Sequence, residues 1–164
     1  MSFDVNPGIV TSFIGPNGSG KTTTMRLILG LSGPTSGKVT VGGRRYRDLP
    51  APLREVGALI DAKAVHPSRT AHHYLLALAL SNAIAASRVD EVLGLVGMEG
   101  VAGKRVGGFS LGMSQRLGIA GTLLGGDRVS GSALGGASVG NATTYSWPGP
   151  DRHRWCVRAR PVSR

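Results

Sequence analysis

Acidic residues are scarce in this chain: Asp and Glu number 9 against 19 Lys and Arg in 164 residues, a formal net charge of +10. Cysteine is scarcer. The single Cys156 excludes an internal disulfide and supplies no metal-ligand cluster. Aromatic residues make up 5%, and no Lys/Arg-rich helix interleaved with aromatics is present to stack on nucleic acid. The positive charge is also spread thin. From Asp127 onward six arginines face two aspartates, which leaves +6 for residues 1 to 126. Basicity here does not imply DNA binding, and no specific nucleic-acid partner is expected. Long apolar runs are missing too. Tyr74 to Ala86 is interrupted by Ser81 and Asn82 and falls short of the roughly 20 residues a spanning helix needs. A core helix is the better reading. No signal-peptide pattern opens the chain, so the expected location is cytoplasmic, with membrane contact made only through a partner.

What is present suits one domain with a real core: 41% hydrophobic residues and a mean hydropathy of +0.05. Ile9–Ile14 is β-branched and aromatic between Pro7-Gly8 and Gly15-Pro16, which reads as a buried strand. Lys21 to Leu29 reads as a helix, stopped by Gly30. Lys38–Val41 alternates polar and apolar as a half-exposed strand, and Val56–Ile60 reads as another. Three helices follow. One runs from about Thr70 to Ala86, started by Ser68 or Thr70. A second spans Arg88 to Val96, with Val89, Val92, Leu93 and Val96 at helical spacing. The third runs to about Leu124 with Ser110 as N-cap. After Gly125-Gly126 no period of two or 3.6 is sustained. By composition, residues 127 to 164 read as an irregular, disordered or poorly packed tail.

The chemistry concentrates in Gly15-Pro16-Asn17-Gly18-Ser19-Gly20-Lys21-Thr22. This is the Gly-x-x-x-x-Gly-Lys-Thr phosphate loop, whose backbone N–H groups cradle phosphate oxygens while glycines permit close approach. Lys21 is placed to reach the β- and γ-phosphates, and the Thr22 hydroxyl to ligate Mg²⁺. The helix opening beside Gly20 adds its positive dipole end. A chance Gly-rich turn would lack this context, in which the motif follows a strand and opens a helix.

Three matches narrow the family. Gly15 to Thr23, with its Pro-Asn-Gly, resembles the loop of ATP-binding cassette (ABC) proteins. Gly33-Pro34-Thr35-Ser36-Gly37-Lys38-Val39-Thr40-Val41 resembles that family's turn and strand after the first helix. Phe109-Ser110-Leu111-Gly112-Met113-Ser114-Gln115-Arg116-Leu117 resembles a variant of its Leu-Ser-Gly-Gly-Gln signature. The resemblance covers residues 1 to about 126 and is especially close to drug- or bacitracin-export ATPase subunits. It implies an α/β fold: a phosphate-loop core with a mixed sheet and an inserted helical subdomain at about 67–124. It also implies ATP and Mg²⁺, a membrane-spanning partner met largely by residues from about Pro67 to Met98, and a second ATP-binding subunit arranged head to tail. In that dimer Ser110, Leu111, Gly112 and Met113 would face the partner's nucleotide. Taken alone, Ser110 is equally a plain N-cap.

The chain also departs from the family. The glutamine expected after the strand near Ile60 stands as Asp61, which can still approach Mg²⁺ but is equally a solvated turn residue. The chain opens at the family's second strand, without the segment that stacks an aromatic on adenine. After Asp127 the expected apolar strand ending in Asp-Glu and the switch histidine are not found; Val129–Leu134 is no substitute and His153 lacks the strand. No catalytic base is therefore assigned, and impaired hydrolysis is expected. The resemblance thus implies an incomplete cassette, truncated at both ends, and the abrupt loss of pattern, absence of lysine and Arg/Gly/Pro/Trp composition point to a frameshifted or misassembled reading frame beyond about Gly126. A non-catalytic nucleotide-binding module is an alternative. So is another phosphate-loop enzyme such as a small-molecule kinase, though no Arg-rich lid is visible. His66, His72 and His73 read as surface residues, Asp90 and Glu91 as a solvated face, and Met98, Met113 and Leu75–Leu80 as core or subunit contacts.

Overall fold

The computed structural model describes residues 2–5, 14–61, 64–126 and 155–158. The chain divides into two compact units, Met1–Pro52 with Ser146–Arg164, and Leu53–Tyr145.

The first unit holds β1 (Ser2–Val5), α1 (Lys21–Ile28), β2 (Lys38–Val41) and β3 (Trp155–Arg158). The sheet order is β1-β3-β2, both pairings antiparallel, with Val5 and Val41 each opposite Trp155. In β2 the side chains alternate as their pattern predicts, Val39 and Val41 buried and Lys38 exposed. Met25 and Ile28 of α1 are buried in the same unit. β3 corrects the expectation of a tail without regular structure. Trp-Cys-Val-Arg is too short to show a period, yet its residue types favour a strand once two neighbours offer a ladder. The described sheet is antiparallel throughout, where a mixed sheet was expected. Of the strand expected over Ile9–Ile14, residues 9–13 lie outside the described residues, and Ile14 itself is in no strand and 95% exposed.

In the second unit a short helical turn, α2 (Pro52–Glu55), enters a three-helix block: α3 (Ala71–Ser81), α4 (Ser87–Leu95) and α5 (Leu111–Leu123). Each helix buries one stripe: Ala71, Leu75 and Ala79 on α3; Val89, Val92 and Leu93 on α4; Leu117, Ala120 and Leu123 on α5. Met98 closes the block and is 1% exposed. Thr70 caps α3, its side chain accepting from the His73 N–H.

Val56–Ile60 is not a strand. A Cβ on Gly57 would stand 2.8 Å from the Thr122 Cα, and one on Gly118 3.2 Å from Leu59 Cδ2. Two residues of the segment thus match four of α5, about 6 Å of helix rise. The segment therefore runs past α5 in the opposite chain direction. Among the described residues its backbone pairs with none. Composition favoured a strand, but a strand needs a ladder, and here a helix takes the place of a neighbouring strand.

Candidate nucleotide site

The loop from Gly15 to Ser19 is fully exposed. The Ser19 N–H donates to the Pro16 carbonyl at 3.2 Å, closing its turn. Gly18 (φ +83°) and Gly20 (φ +89°) adopt left-handed angles, and a Cβ on either would meet nothing within 4 Å. Glycine therefore supplies backbone angle at these two positions rather than space. A Cβ on Gly15 would crowd Ser19, lying 2.7 Å from its Oγ, which would have to turn away.

Lys21 is held against this loop, its Nζ donating to the Gly15 carbonyl at 2.7 Å and to the Pro16 carbonyl at 2.8 Å. The first turn of α1 carries no acidic residue and no side-chain cap. Among the described residues, no acceptor takes the backbone N–H groups of Gly20, Lys21, Thr22 and Thr23. Free N–H groups, the positive end of an eight-residue helix and one ammonium converge on an exposed loop, an arrangement that fits a phosphate chain. The Thr22 side chain is exposed, as a hydroxyl ligand to Mg²⁺ needs. Thr24 is spoken for, its hydroxyl donating to the Gly20 carbonyl at 3.0 Å.

The second cluster lies in the other unit. Ser110 caps α5, its Oγ accepting from the Met113 N–H at 3.2 Å. The local reading of Ser110 as an N-cap is thus realised. Leu111 is 59% exposed, Gly112 is exposed and Met113 half-buried. Gly112 has no left-handed φ, and a Cβ on it would meet nothing within 4 Å. Nothing within the chain requires glycine there. Asp61 is exposed and belongs to the same unit as Ser110.

The histidines are local. Ser68 N–H donates to His66 Nδ1 at 3.3 Å, His73 Nδ1 lies 2.9 Å from Thr70 Oγ1, and His72 Nε2 is 3.7 Å from Asp90. Among the described residues no group of three or more His, Cys, Asp or Glu could hold a metal ion, and no helix is long and apolar enough to cross a membrane. Cys156 lies in β3, and His153 lies outside the described residues.

Sequence reasoning missed Arg88. Its guanidinium donates to the Gly126 carbonyl at 2.6 Å, to the Leu123 carbonyl at 3.3 Å and to Glu91 at 2.6 Å. It thereby caps the C-terminal end of α5 from α4. Its partners lie 35 and 38 residues away, so no local pattern marks it.

A family model described as ABC transporter matches residues 1–130, and the chain belongs to that family. It is 40% identical over 126 residues to the bacitracin transport ATP-binding protein BcrA of Bacillus licheniformis, covering 76% of this chain and 41% of that protein. It is 38% identical over 128 residues to the uncharacterized ABC transporter ATP-binding protein YxlF of Bacillus subtilis, covering 76% and 42%. With the Fe(3+) ions import ATP-binding protein FbpC of Brucella suis the identity is 36% over 128 residues, covering 76% and 36%. The chain therefore spans about two fifths of the length of the curated relatives it matches.

Proposed function

We propose that the chain binds Mg²⁺-ATP at Gly15–Thr23 and serves as the nucleotide-binding part of an ABC transporter of export type. The observation that carries this reading is the phosphate loop itself. Lys21 is held on two loop carbonyls beside free N–H groups at the start of α1. Thr22 would ligate Mg²⁺, with Asp61 as a further candidate. Bound Mg²⁺ would neutralise phosphate charge, while this chain's own residues bind and orient the phosphates. Ser110, Leu111, Gly112 and Met113 would cap the nucleotide of a second ATP-binding subunit, head to tail. A membrane-spanning subunit would complete the assembly at the inner face of the membrane. Export is the proposed direction because of the similarity to the bacitracin transport protein; the iron-import relative defines the competing one.

The test is calorimetry of Mg²⁺-ATP with the purified chain and with Lys21→Ala. Saturable binding that the substitution abolishes is the expected result. Equal heats from both proteins would remove the loop from the reaction and overturn the reading.

A second reading, a nucleotide-binding module without turnover, is favoured by the sequence after Gly126, where no Asp-Glu pair follows an apolar strand. It predicts binding with no phosphate release. The family match ends at residue 130, which supports a shifted reading frame in the tail. Resequencing the locus tests that: a base change that restores the apolar-Asp-Glu segment supports it, and an intact frame sinks it.

A further inference from the structure

The approach to Ser110 is stitched to the start of α3. The Gly107 N–H donates to the Pro67 carbonyl at 2.9 Å, and the Val106 N–H to the Arg69 carbonyl at 2.9 Å. In the other direction, His72 N–H donates to the Ala102 carbonyl at 2.9 Å and Ala71 N–H to the Lys104 carbonyl at 3.3 Å. Thr70 and Arg105 face each other as an antiparallel bridge. The His66–Ser68 turn fixes one side, with Ser68 Oγ 2.8 Å from His66 Nδ1, and buried Val106 fixes the other. Contact is closest at Gly107, where a Cβ would lie 3.0 Å from Pro67 Cβ and 3.1 Å from the Pro67 carbonyl oxygen. From Gly107 a single 3₁₀ turn, Val106–Gly108, leads through Phe109 to Ser110.

We propose that Gly107 is a positioning residue for the Ser110–Met113 cluster. Its lack of a side chain lets the strap close on Pro67, and this fixes where Ser110 is presented to a second subunit's nucleotide. The proposal rests on the head-to-tail reading above. It differs from a folding role in what it predicts. The α5 helix is held by its own buried stripe, Leu117, Ala120 and Leu123, so its body persists when the strap is displaced by a few tenths of an ångström. The placement of Ser110 does not.

The experiment measures two things separately: Mg²⁺-ATP affinity by calorimetry and ATP-dependent self-association by sedimentation velocity. Amide exchange reports on the fold. Gly107→Ala is expected to leave nucleotide affinity within about twofold while weakening association by about tenfold, a loss of about 1.4 kcal/mol. Protection should fall at Val106 and Gly107 but hold through Gln115–Leu123, past the first turn of α5. Gly103→Ala, where a Cβ meets nothing within 4 Å, should change neither readout. Unchanged association in Gly107→Ala overturns the proposal, and so does collapse of α5 protection, which would make Gly107 a folding residue. Failure of the head-to-tail reading looks different. Either the unsubstituted chain would not associate with ATP, or Ser110→Ala would associate as the unsubstituted chain does.

Discussion

Two of the phosphate-loop glycines and the glycines packed along α5 do opposite work. In the phosphate loop, Gly18 and Gly20 hold left-handed angles with empty space around them. Against α5, Gly57, Gly118 and Gly125 have no left-handed φ, but a Cβ on any of them would run into neighbouring atoms. The first pair is there for its backbone angles. The second group lets two segments of the same chain touch. Gly112 fits neither description, with an ordinary φ and open surroundings. A helical glycine lowers stability by about 0.5–1 kcal/mol relative to alanine. Gly112 therefore costs the fold a little and returns nothing to it, as expected where a ligand must come close.

The comparison breaks most visibly at Gly125. A Cβ there would lie 2.6 Å from the Leu53 carbonyl carbon and 2.9 Å from the Arg54 Cα. Backbone cannot rotate away as a side chain can, so Gly125→Ala should cost about 3 kcal/mol, the upper end of overpacking penalties. Gly118→Ala meets only the Leu59 side chain and should cost less, about 1–2 kcal/mol. Urea unfolding followed by far-UV circular dichroism ranks the two. A smaller loss for Gly125→Ala would mean that the contact between α2 and the end of α5 is looser than drawn.

The α5 N-terminus sharpens the contrast. Ser110→Ala removes the side-chain acceptor of the Met113 N–H and should lower stability by about 1 kcal/mol. Gly112→Ala, two residues on, should raise it by about 0.5 kcal/mol while weakening ATP-dependent association. Opposite shifts in unfolding midpoint with the same loss of association would separate function from fold at this helix start. If Gly112→Ala associates normally, the absence of a Cβ there serves no nucleotide.

How much of this was legible in the residues follows from the range of each interaction. The phosphate loop, the α1 helix and the Thr70 and Ser110 caps depend on partners within a few positions and can be read locally, while the Lys38–Val41 strand shows in its alternation although its ladder partner is far away. Val89, Val92 and Leu93 could be placed in the core by spacing alone, and Asp90 and Glu91 outside it. Val56–Ile60 could not be read correctly, because what lies beside it, α5, is about sixty residues away in sequence. Trp155–Arg158 failed for the same reason, its two ladder neighbours lying near the other end of the chain. The Arg88 cap and the Pro67–Gly107 strap are likewise pairings over distance. In the candidate site the phosphate-loop and Ser110–Met113 positions can be named from the residues alone, whereas the long-range pairing of Gly107 with Pro67 cannot.

The smallest predicted effect concerns the ends of three helices. α1 and α4 stop in the same way, with a left-handed glycine and crossed hydrogen bonds. Gly30 donates to Leu27 and Leu31 to Arg26; Gly97 donates to Gly94 and Met98 to Leu93. α3 ends with the same pair of bonds, Ala83 to Leu80 and Ile84 to Ala79, but the left-handed position is held by Ala83 at φ 52°. An L-residue with a Cβ is strained there by about 1 kcal/mol. The strain is kept because Asn82 and the Ala83 carbonyl are both used. Asn82 Oδ1 accepts from the Leu53 N–H at 2.9 Å, and Arg54 donates to the Ala83 carbonyl. Ala83→Gly keeps every one of these bonds and removes the strain, though it frees the unfolded chain. The net expectation is a gain of about 0.5 kcal/mol, read as a small rise in the urea midpoint at constant slope. A loss of stability instead would mean that α3 does not end on a left-handed residue, and that the anchoring of α2 to this turn must be drawn differently.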